Sequence, residues 1–268
     1  MKIWANCIVH NEENFIWFSI MSVIDYVDKI LVWDSGSTDK TVEIIKEIKK
    51  KKGDKIEFKE VGSVDKLLFT KMRQKMLEQS ECDWILVLDG DEVWWEESIK
   101  EIKEKIKSDG DKLDAIVVPF YNIVGDIYHH QSSQAGQYRL LGKKGHLTVK
   151  AVNRKISGLH WSKPYGKEGL YDENGISIQN RETNRLVFLR SPFLHFTHLR
   201  RSPRDLKKFK YDLGIKFPKN FRYPEILNKE RPEIVHSPWK RRSEKYKVIS
   251  LIKKPYQILW RMLKNRYD

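Results

Sequence analysis

The sequence predicts an α/β fold with a mostly parallel central sheet flanked by helices and a helical extension at the C-terminal end. Three observations predict it. Short apolar runs alternate with amphipathic stretches from residue 4 to residue 120, the pattern of strand–helix–strand units. Three of the apolar runs end on polar clusters, as strands do when they deliver side chains to a crevice. The last quarter changes character, with lysine and arginine interleaved among apolar residues at helical spacing.

The elements follow in order. Trp4 to Val9 reads as a first strand, ending at His10-Asn11-Glu12-Glu13. Residues 14–27 place Phe15, Phe18, Ile20 and Ile24 at helical spacing. Lys29 to Trp33 is a second strand, followed by Asp34-Ser35-Gly36-Ser37-Thr38-Asp39, a turn suited to cap the next helix. That helix runs from Thr41 to Lys52, with Val42, Ile45 and Ile48 inward. Ile56 to Phe58 is a third strand, and 65–80 a helix with Leu68, Met72 and Met76 on one face. The strand 84–88 then leads into Asp89-Gly90-Asp91-Glu92. A helix over 96–107 and a strand over 114–120 follow. Residues 121–185, rich in Gly, Ser, Gln, His and aromatics, read as antiparallel or irregular structure of the kind that carries substrate recognition. Late strands are expected at 186–189 and 192–196, and residues 203–268 read as helices broken near Pro218, Pro224, Pro232 and Pro238. The division expected is a catalytic domain over 1–200 and a basic, amphipathic helical region over 201–268.

Composition limits the classes of function. A chain of 268 residues with 40% hydrophobic content can bury a large core. Cys7 and Cys82 lie in apolar segments without metal-like spacing, and reduced core thiols are expected. The N-terminal residues lack a secretory pattern, and no uncharged apolar run approaches the roughly 20 residues of a spanning helix, so a cytoplasmic location is the expectation. The net charge of +14 is confined to residues 199–268, which hold 21 Lys and Arg against 7 Asp and Glu. The preceding residues are balanced.

The chemistry concentrates at Asp89-Gly90-Asp91-Glu92. Crowded carboxylates repel one another and resist desolvation. A hard divalent cation bound to phosphate oxygens offsets that cost, and Gly90 would let the backbone turn so that both aspartates face one side. Val93 and Trp94 occupy positions where an EF-hand loop needs an oxygen ligand and a glycine, which rejects that reading. A plain solvated acidic turn is the competing explanation. Asp34 ends its strand where its carboxylate can accept a hydrogen bond from a base imide, while backbone N–H groups of Ser35 and Gly36 can face ribose or phosphate.

Ile8-Val9-His10-Asn11-Glu12, Val32 to Thr41 and Leu86 to Glu92 together resemble a family 2 glycosyltransferase, in order and spacing as well as in motif. The likeness is specific over residues 1–95, extends to about 200 and is thin beyond. It implies the GT-A fold, a Rossmann-like sheet with helices on both faces, and transfer of a sugar from a nucleoside diphosphate sugar, with UDP favoured, to an acceptor hydroxyl with inversion. It implies that Val9, Asn11, Glu12 and Asp34 hold the nucleotide base side, with Lys66 or Arg73 facing the nucleotide. It also implies that Asp89 lies near the ribose or metal, the ribose side being favoured, and that Asp91 ligates Mn²⁺ or Mg²⁺ on the diphosphate. A late histidine often completes the metal site in such enzymes. His195 is favoured over His198 because it interrupts an apolar run where a strand reaches the site.

An inverting transfer needs a carboxylate that removes the acceptor proton. Relatives often place it between 150 and 175, sometimes after a histidine. Here Trp161 follows His160, a departure that leaves Glu168, Asp172 and Glu173 as candidates, Glu168 after a loop able to reach over the site. Residues 245–266 suit a helix lying on an anionic membrane surface, each basic residue contributing roughly 1 kcal/mol. A glycan or lipid-linked acceptor would fit such a site at the cytoplasmic membrane face, and no nucleic-acid module is present. Two rivals remain in the sequence. One is a nucleotidyltransferase acting on sugar phosphates, whose Gly- and Lys-rich phosphate loop is missing from His10-Asn11-Glu12-Glu13. The other is a non-catalytic membrane-associated adaptor on a degenerate fold, against which the three retained motifs argue.

Overall fold

A computed structural model describes residues 1–203 and 211–267, with the side chains of Lys66 and of 257–267 outside the described set. Nine strands form one curled sheet. Its first half alternates strand and helix: β1 (Ile3–Val9), α1 (Ile16–Val23), β2 (Lys29–Asp34), α2 (Thr41–Lys52), β3 (Ile56–Glu60), α3 (Lys66–Gln79) and β4 (Trp84–Val87). β5 (Glu92–Trp94), α4 (Glu96–Asp109) and β6 (Ala115–Asn122) come next. The irregular middle holds short strands β7 (His129–His130), β8 (Tyr138–Leu140) and β9 (Lys143–Gly145), then β10 (Leu147–Asn153), β11 (His160–Ser162) and β12 (Gly169–Tyr171). β13 (Leu186–Phe188) and β14 (Phe193–His195) return to the sheet, β15 (Ile215–Lys216) pairs with β7, and α5 (Glu244–Tyr267) ends the described chain.

The strand order is β3-β2-β1-β4-β10-β6-β14-β5, with β13 beside β6. The pairs β1–β2, β2–β3, β1–β4, β6–β13 and β6–β14 are parallel. β10 and β5 run antiparallel to their neighbours. The chain winds outward from β1 to β3 and returns to place β4 on the other side of β1. That reversal opens a crevice at the carboxyl ends of β1 and β4, the place where open α/β sheets bind ligands. The strands are near-continuous apolar runs because both faces are covered. Seven of the eight residues of α1 are buried, so this short helix is held by packing rather than by caps. α3 is capped by Asp65, whose side chain accepts from the N–H groups of Leu67 and Leu68.

Cys7 is buried and Cys82 half-buried, and both are free thiols. Of the helices expected over 203–243, the part over 204–210 lies outside the described residues, and none is found over 211–243. That stretch holds β15 and one turn of 3₁₀ helix at Glu225–Asn228. Phe217, Ile226, Leu227 and Val235 instead join the main core. Proline spacing explains the difference: each of the four prolines interrupts a helix before it can complete two turns, leaving the apolar side chains to pack from irregular backbone.

Candidate active site

The crevice is a cleft of about 900 Å³ lined by the ends of β1, β2 and β4, the start of α3, the 163–168 loop and the segment after β14. Val9, Asn11, Glu12, Ser35, Arg73, Asp89, Gly90, Asp91, Glu168 and His195 all face it. Asp34, Gly36, Asp172 and His198 do not line it.

The β1 and β2 ends are tied into one wall. Asn11 takes a left-handed φ of 53°, and its backbone N–H donates to Ser37 Oγ while its Oδ1 accepts from the Thr38 N–H. Ser35 donates through both N–H and hydroxyl to the Val9 carbonyl. Asp34 is buried behind this wall. Its Oδ2 accepts from the N–H groups of Gly36 and Ser37, and its buried Oδ1 has no hydrogen-bond partner. Gly36 has φ 84°, and a Cβ there would stand 3.0 Å from the Ser63 nitrogen, so only glycine lets the turn approach the lip of α3.

The carboxylate cluster is held by three cations. Asp89 Oδ1 meets Arg73 at 3.0 Å and Oδ2 meets Lys150 at 3.4 Å. Arg73 is itself fixed between the rings of Phe69 and Trp161, 5.0 and 4.9 Å away. Lys150 Nζ also meets Glu92 at 2.6 Å and donates to the Val87 carbonyl. Asp91 Oδ1 lies 3.5 Å from His195 Nε2, and its Oδ2 3.9 Å from Arg201, which pairs with Glu12. Burial opposes ionisation of Asp89, but Lys150, Arg73 and His195 hold its pKa well below the usual carboxylate range. Burial likewise opposes ionisation of Asp91, and His195 and Arg201 bring its pKa down. Burial works against the Lys150 cation too, yet the Glu92 and Asp89 carboxylates raise its pKa.

Gly90 serves this cluster differently from the sequence expectation. Its backbone is not left-handed; a Cβ would stand 3.0 Å from Glu12 Cγ and 3.1 Å from Val9 Cγ1. Close approach of the β1 end, rather than a sharp turn, is what excludes a side chain. β14 runs antiparallel to β5 with His195 opposite Glu92, and this pairing brings His195 to Asp91. His198 is half-buried outside the cleft. Asp172 is corrected as a site residue: its carboxylate is 2% exposed, accepts from the N–H groups of Asn174 and Ile176 and pairs with Arg181. It organises a turn. Glu168 faces the cleft in a loop pinned by the Thr70 hydroxyl on the Lys163 carbonyl and accepts from the Gly166 N–H. Lys66 opens α3, but its side chain lies outside the described set.

Sequence reasoning missed Lys150 and Arg201. Lys150 is the extra residue of a bulge in β10, where the register with β6 slips between Val149 and Ala151. The bulge re-aims a lysine into the sheet interior. A lysine inside Thr148-Val149-Lys150-Ala151-Val152 was its only signal. Arg201 had none beyond its place after His198.

The donor set fits a hard divalent cation. Asp91 and His195 supply a carboxylate and an imidazole, which Mn²⁺ accepts and of which Mg²⁺ favours the oxygen. Asp91 Oδ1 and His195 Nε2, 3.5 Å apart, would hold such an ion. Among the described residues no group of three or more His, Cys, Asp or Glu side chains is placed to hold a metal. An ion here would therefore need further oxygens from a bound phosphate, as Mg²⁺ and its like commonly do in nucleotide sites.

Comparison with known proteins agrees with this geometry. Residues 7–173 match the family described as glycosyl transferase family 2. The glycosyltransferase SunS of the SPbeta prophage in Bacillus subtilis is 31% identical over 149 residues, covering 53% of this chain and 32% of SunS. A TPR repeat-containing protein of Synechococcus elongatus is 27% identical over 179 residues, covering 66% of this chain and 37% of that protein. The chain thus spans about a third of the length of these curated relatives. Among solved structures, residues 1–349 of S. aureus TarS superpose with a TM-score of 0.50 at 16% identity, covering 73% of this chain and 60% of that one. The sheet order, the crevice at its switch point and the match over 7–173 lead to one conclusion: this chain belongs to glycosyl transferase family 2.

Proposed function

We propose that this protein is a metal-dependent, inverting glycosyltransferase that moves a hexose-type sugar from a nucleoside diphosphate sugar to an acceptor hydroxyl. The observation that carries the reading is Asp91 beside His195 in a cleft that also holds Arg73, Arg201 and Asp89 at the sheet's switch point. A UDP-sugar is the favoured donor; TarS, of the same fold, has been solved with UDP-GlcNAc. The acceptor is a glycan or a lipid-linked sugar of the cell envelope.

Asp91 and His195 would hold Mn²⁺ or Mg²⁺. The ion, when bound, neutralises charge on the departing diphosphate. The rest falls to the chain's own side chains. Ser35 and the Asn11 end of β1 face the nucleoside, and Asp34 supports that wall from behind. Asp89, locked by Arg73 and Lys150, orients toward the ribose. Arg201, on leaving Glu12, meets the diphosphate oxygens. Glu168 takes the proton of the acceptor hydroxyl as its oxygen bonds to the anomeric carbon from the face opposite the leaving group. The bond from that carbon to the phosphate oxygen breaks, so the products are an inverted glycoside and a nucleoside diphosphate.

The test is a screen of UDP-, GDP- and dTDP-sugars for thermal stabilisation and hydrolysis in Mn²⁺. We expect one donor to stabilise the protein and to release nucleoside diphosphate. Asp91→Ala should remove turnover. Release of pyrophosphate would support a nucleotidyltransferase instead. No response to any donor, with Asp91→Ala indistinguishable from the parent, would refute the proposal.

A further inference from the structure

Helix α5 has two faces with different surroundings. On one, Tyr246 and Ser250 are buried. The Tyr246 hydroxyl accepts from the Asp212 N–H, and its ring lies 5.1 Å from that of Tyr211. Lys253 Nζ sits 4.9 Å over the same Tyr211 ring. Just before the helix, Arg242 donates from its backbone to Asp126, from its guanidinium to the Leu213 carbonyl, and approaches His129 Nε2 at 3.0 Å. These contacts fix the rotation of the first half of the helix about its own axis.

The opposite face is exposed and apolar. At about 100° per residue, Val248, Leu251, Ile252 and Tyr256 fall within an arc of roughly 140° turned away from Tyr246 and Ser250. They are 54, 57, 65 and 74% exposed. Lys245 and Glu244 lie within that arc, and Lys254 and Lys247, the latter paired with Glu244, flank one edge. Four large apolar side chains on one solvent-facing stripe, edged by lysines, mark an interaction surface.

We propose that this face docks on an anionic lipid bilayer, with α5 lying in the headgroup plane. Charge selects the occupant. Residues 199–268 carry the entire net charge of +14, so a second copy would bring a patch of the same sign against this one, whereas anionic lipid brings the opposite sign. The lysine edge suits that setting, because lysine stems cover apolar surface while the ammonium groups reach phosphate. No helix among the described residues is long and apolar enough to cross a membrane, which agrees with a helix lying on the surface. The proposal does not depend on the catalytic reading.

The experiment is cosedimentation of the full chain with vesicles of phosphatidylcholine alone or with about one-third phosphatidylglycerol. Binding is expected only with the anionic lipid, falling steeply as salt rises from about 0.1 to 0.5 M. Lys247→Gln and Lys254→Gln should each weaken it roughly fivefold, and the double variant Leu251→Ser/Ile252→Ser at least about tenfold. Circular dichroism and thermal unfolding without added ligand check that these variants remain folded. Equal binding to both vesicle types, or no binding by the parent chain, overturns the proposal. So does a dimer in analytical ultracentrifugation that the Leu251→Ser/Ile252→Ser change dissolves while vesicle binding persists.

Discussion

Replacing Lys150 by Met tests the organisation of the carboxylate cluster most directly. Lys150 is 3% exposed and meets Glu92 at 2.6 Å, Asp89 at 3.4 Å and the Val87 carbonyl at 3.2 Å. Methionine preserves most of the side-chain volume and the contact with the Phe193 ring, so the change removes charge and leaves little cavity. What remains is Glu92, 1% exposed, whose carboxyl burial pushes up to about 7 even beside Lys150, so without its counter-ion it takes up a proton at neutral pH. The loss is that of the Lys150 pairs and hydrogen bond, about 1–3 kcal/mol, set against the roughly 5–15 kcal/mol that holds a domain together. Asp89 keeps Arg73 and stays near the surface, so it adds little to that cost. Urea unfolding followed by tryptophan fluorescence measures the loss. The companion variant is Lys150→Met/Glu92→Gln, which copies the protonated Glu92 and should match Lys150→Met in stability at pH 7. Donor affinity should stay weakened in both variants, because Asp89 has lost one of its two anchors. A loss below about 1 kcal/mol in Lys150→Met would refute the view that Lys150 is the resident cation of this cluster, and a double variant much more stable than Lys150→Met at pH 7 would refute the protonation of Glu92.

Glu168→Gln should lower kcat by about 10²- to 10⁴-fold with donor binding kept. Asp172→Asn should cost roughly 1–3 kcal/mol of stability and leave turnover per folded molecule unchanged; the reverse pattern in steady-state kinetics would exchange their roles. Gly90→Ala pushes Glu12 or Val9 aside and should weaken the donor-induced thermal shift while costing about 1–3 kcal/mol; an unaltered shift would show that the close approach is not needed. The Asp114 carboxylate is buried, which opposes its ionisation, but Arg185 and Arg181 lower its pKa overall. A depressed carboxyl stabilises the fold above its unfolded pKa, near 4, and that contribution is lost as pH falls through the folded value. Asp114→Asn should therefore be less stable than the parent at pH 7, with the gap closing below about pH 4 in acid unfolding curves; a gap independent of pH would show that the pair contributes nothing through charge.

The first half of the fold was legible because its signals are local. The runs 4–9, 29–33 and 84–88 are apolar enough to be buried on both faces, and each ends where the structure ends its strand or within a residue of it. The helix expected over Thr41 to Lys52 has those bounds. Asp89, Asp91, Arg73 and His195 line one cleft, as strand ends, a helix face and an interrupted apolar run each pointed to a place. Asp172 and Glu168 could not be separated, since an acidic residue in a loop looks the same whether it faces a cleft or ties a turn. The region 211–243 misled because its four prolines forbid the helices expected there, and its apolar side chains pack from irregular backbone instead.

Local patterning thus dictates an α/β sheet with carboxylates at three strand ends, for burial periodicity and turn chemistry act between near neighbours in the chain. Position 150 shows where that reach stops. A lysine in an apolar strand is an anomaly in the sequence. Only the bulge against β6, and the arrival of β4 alongside β10, turn it toward Asp89 and Glu92. Arg201 likewise gains its meaning from Glu12, 189 residues earlier. Such pairs form because the sheet brings distant segments within a few ångströms in a medium where an uncompensated charge is costly, and that cost is paid or avoided in space rather than along the chain.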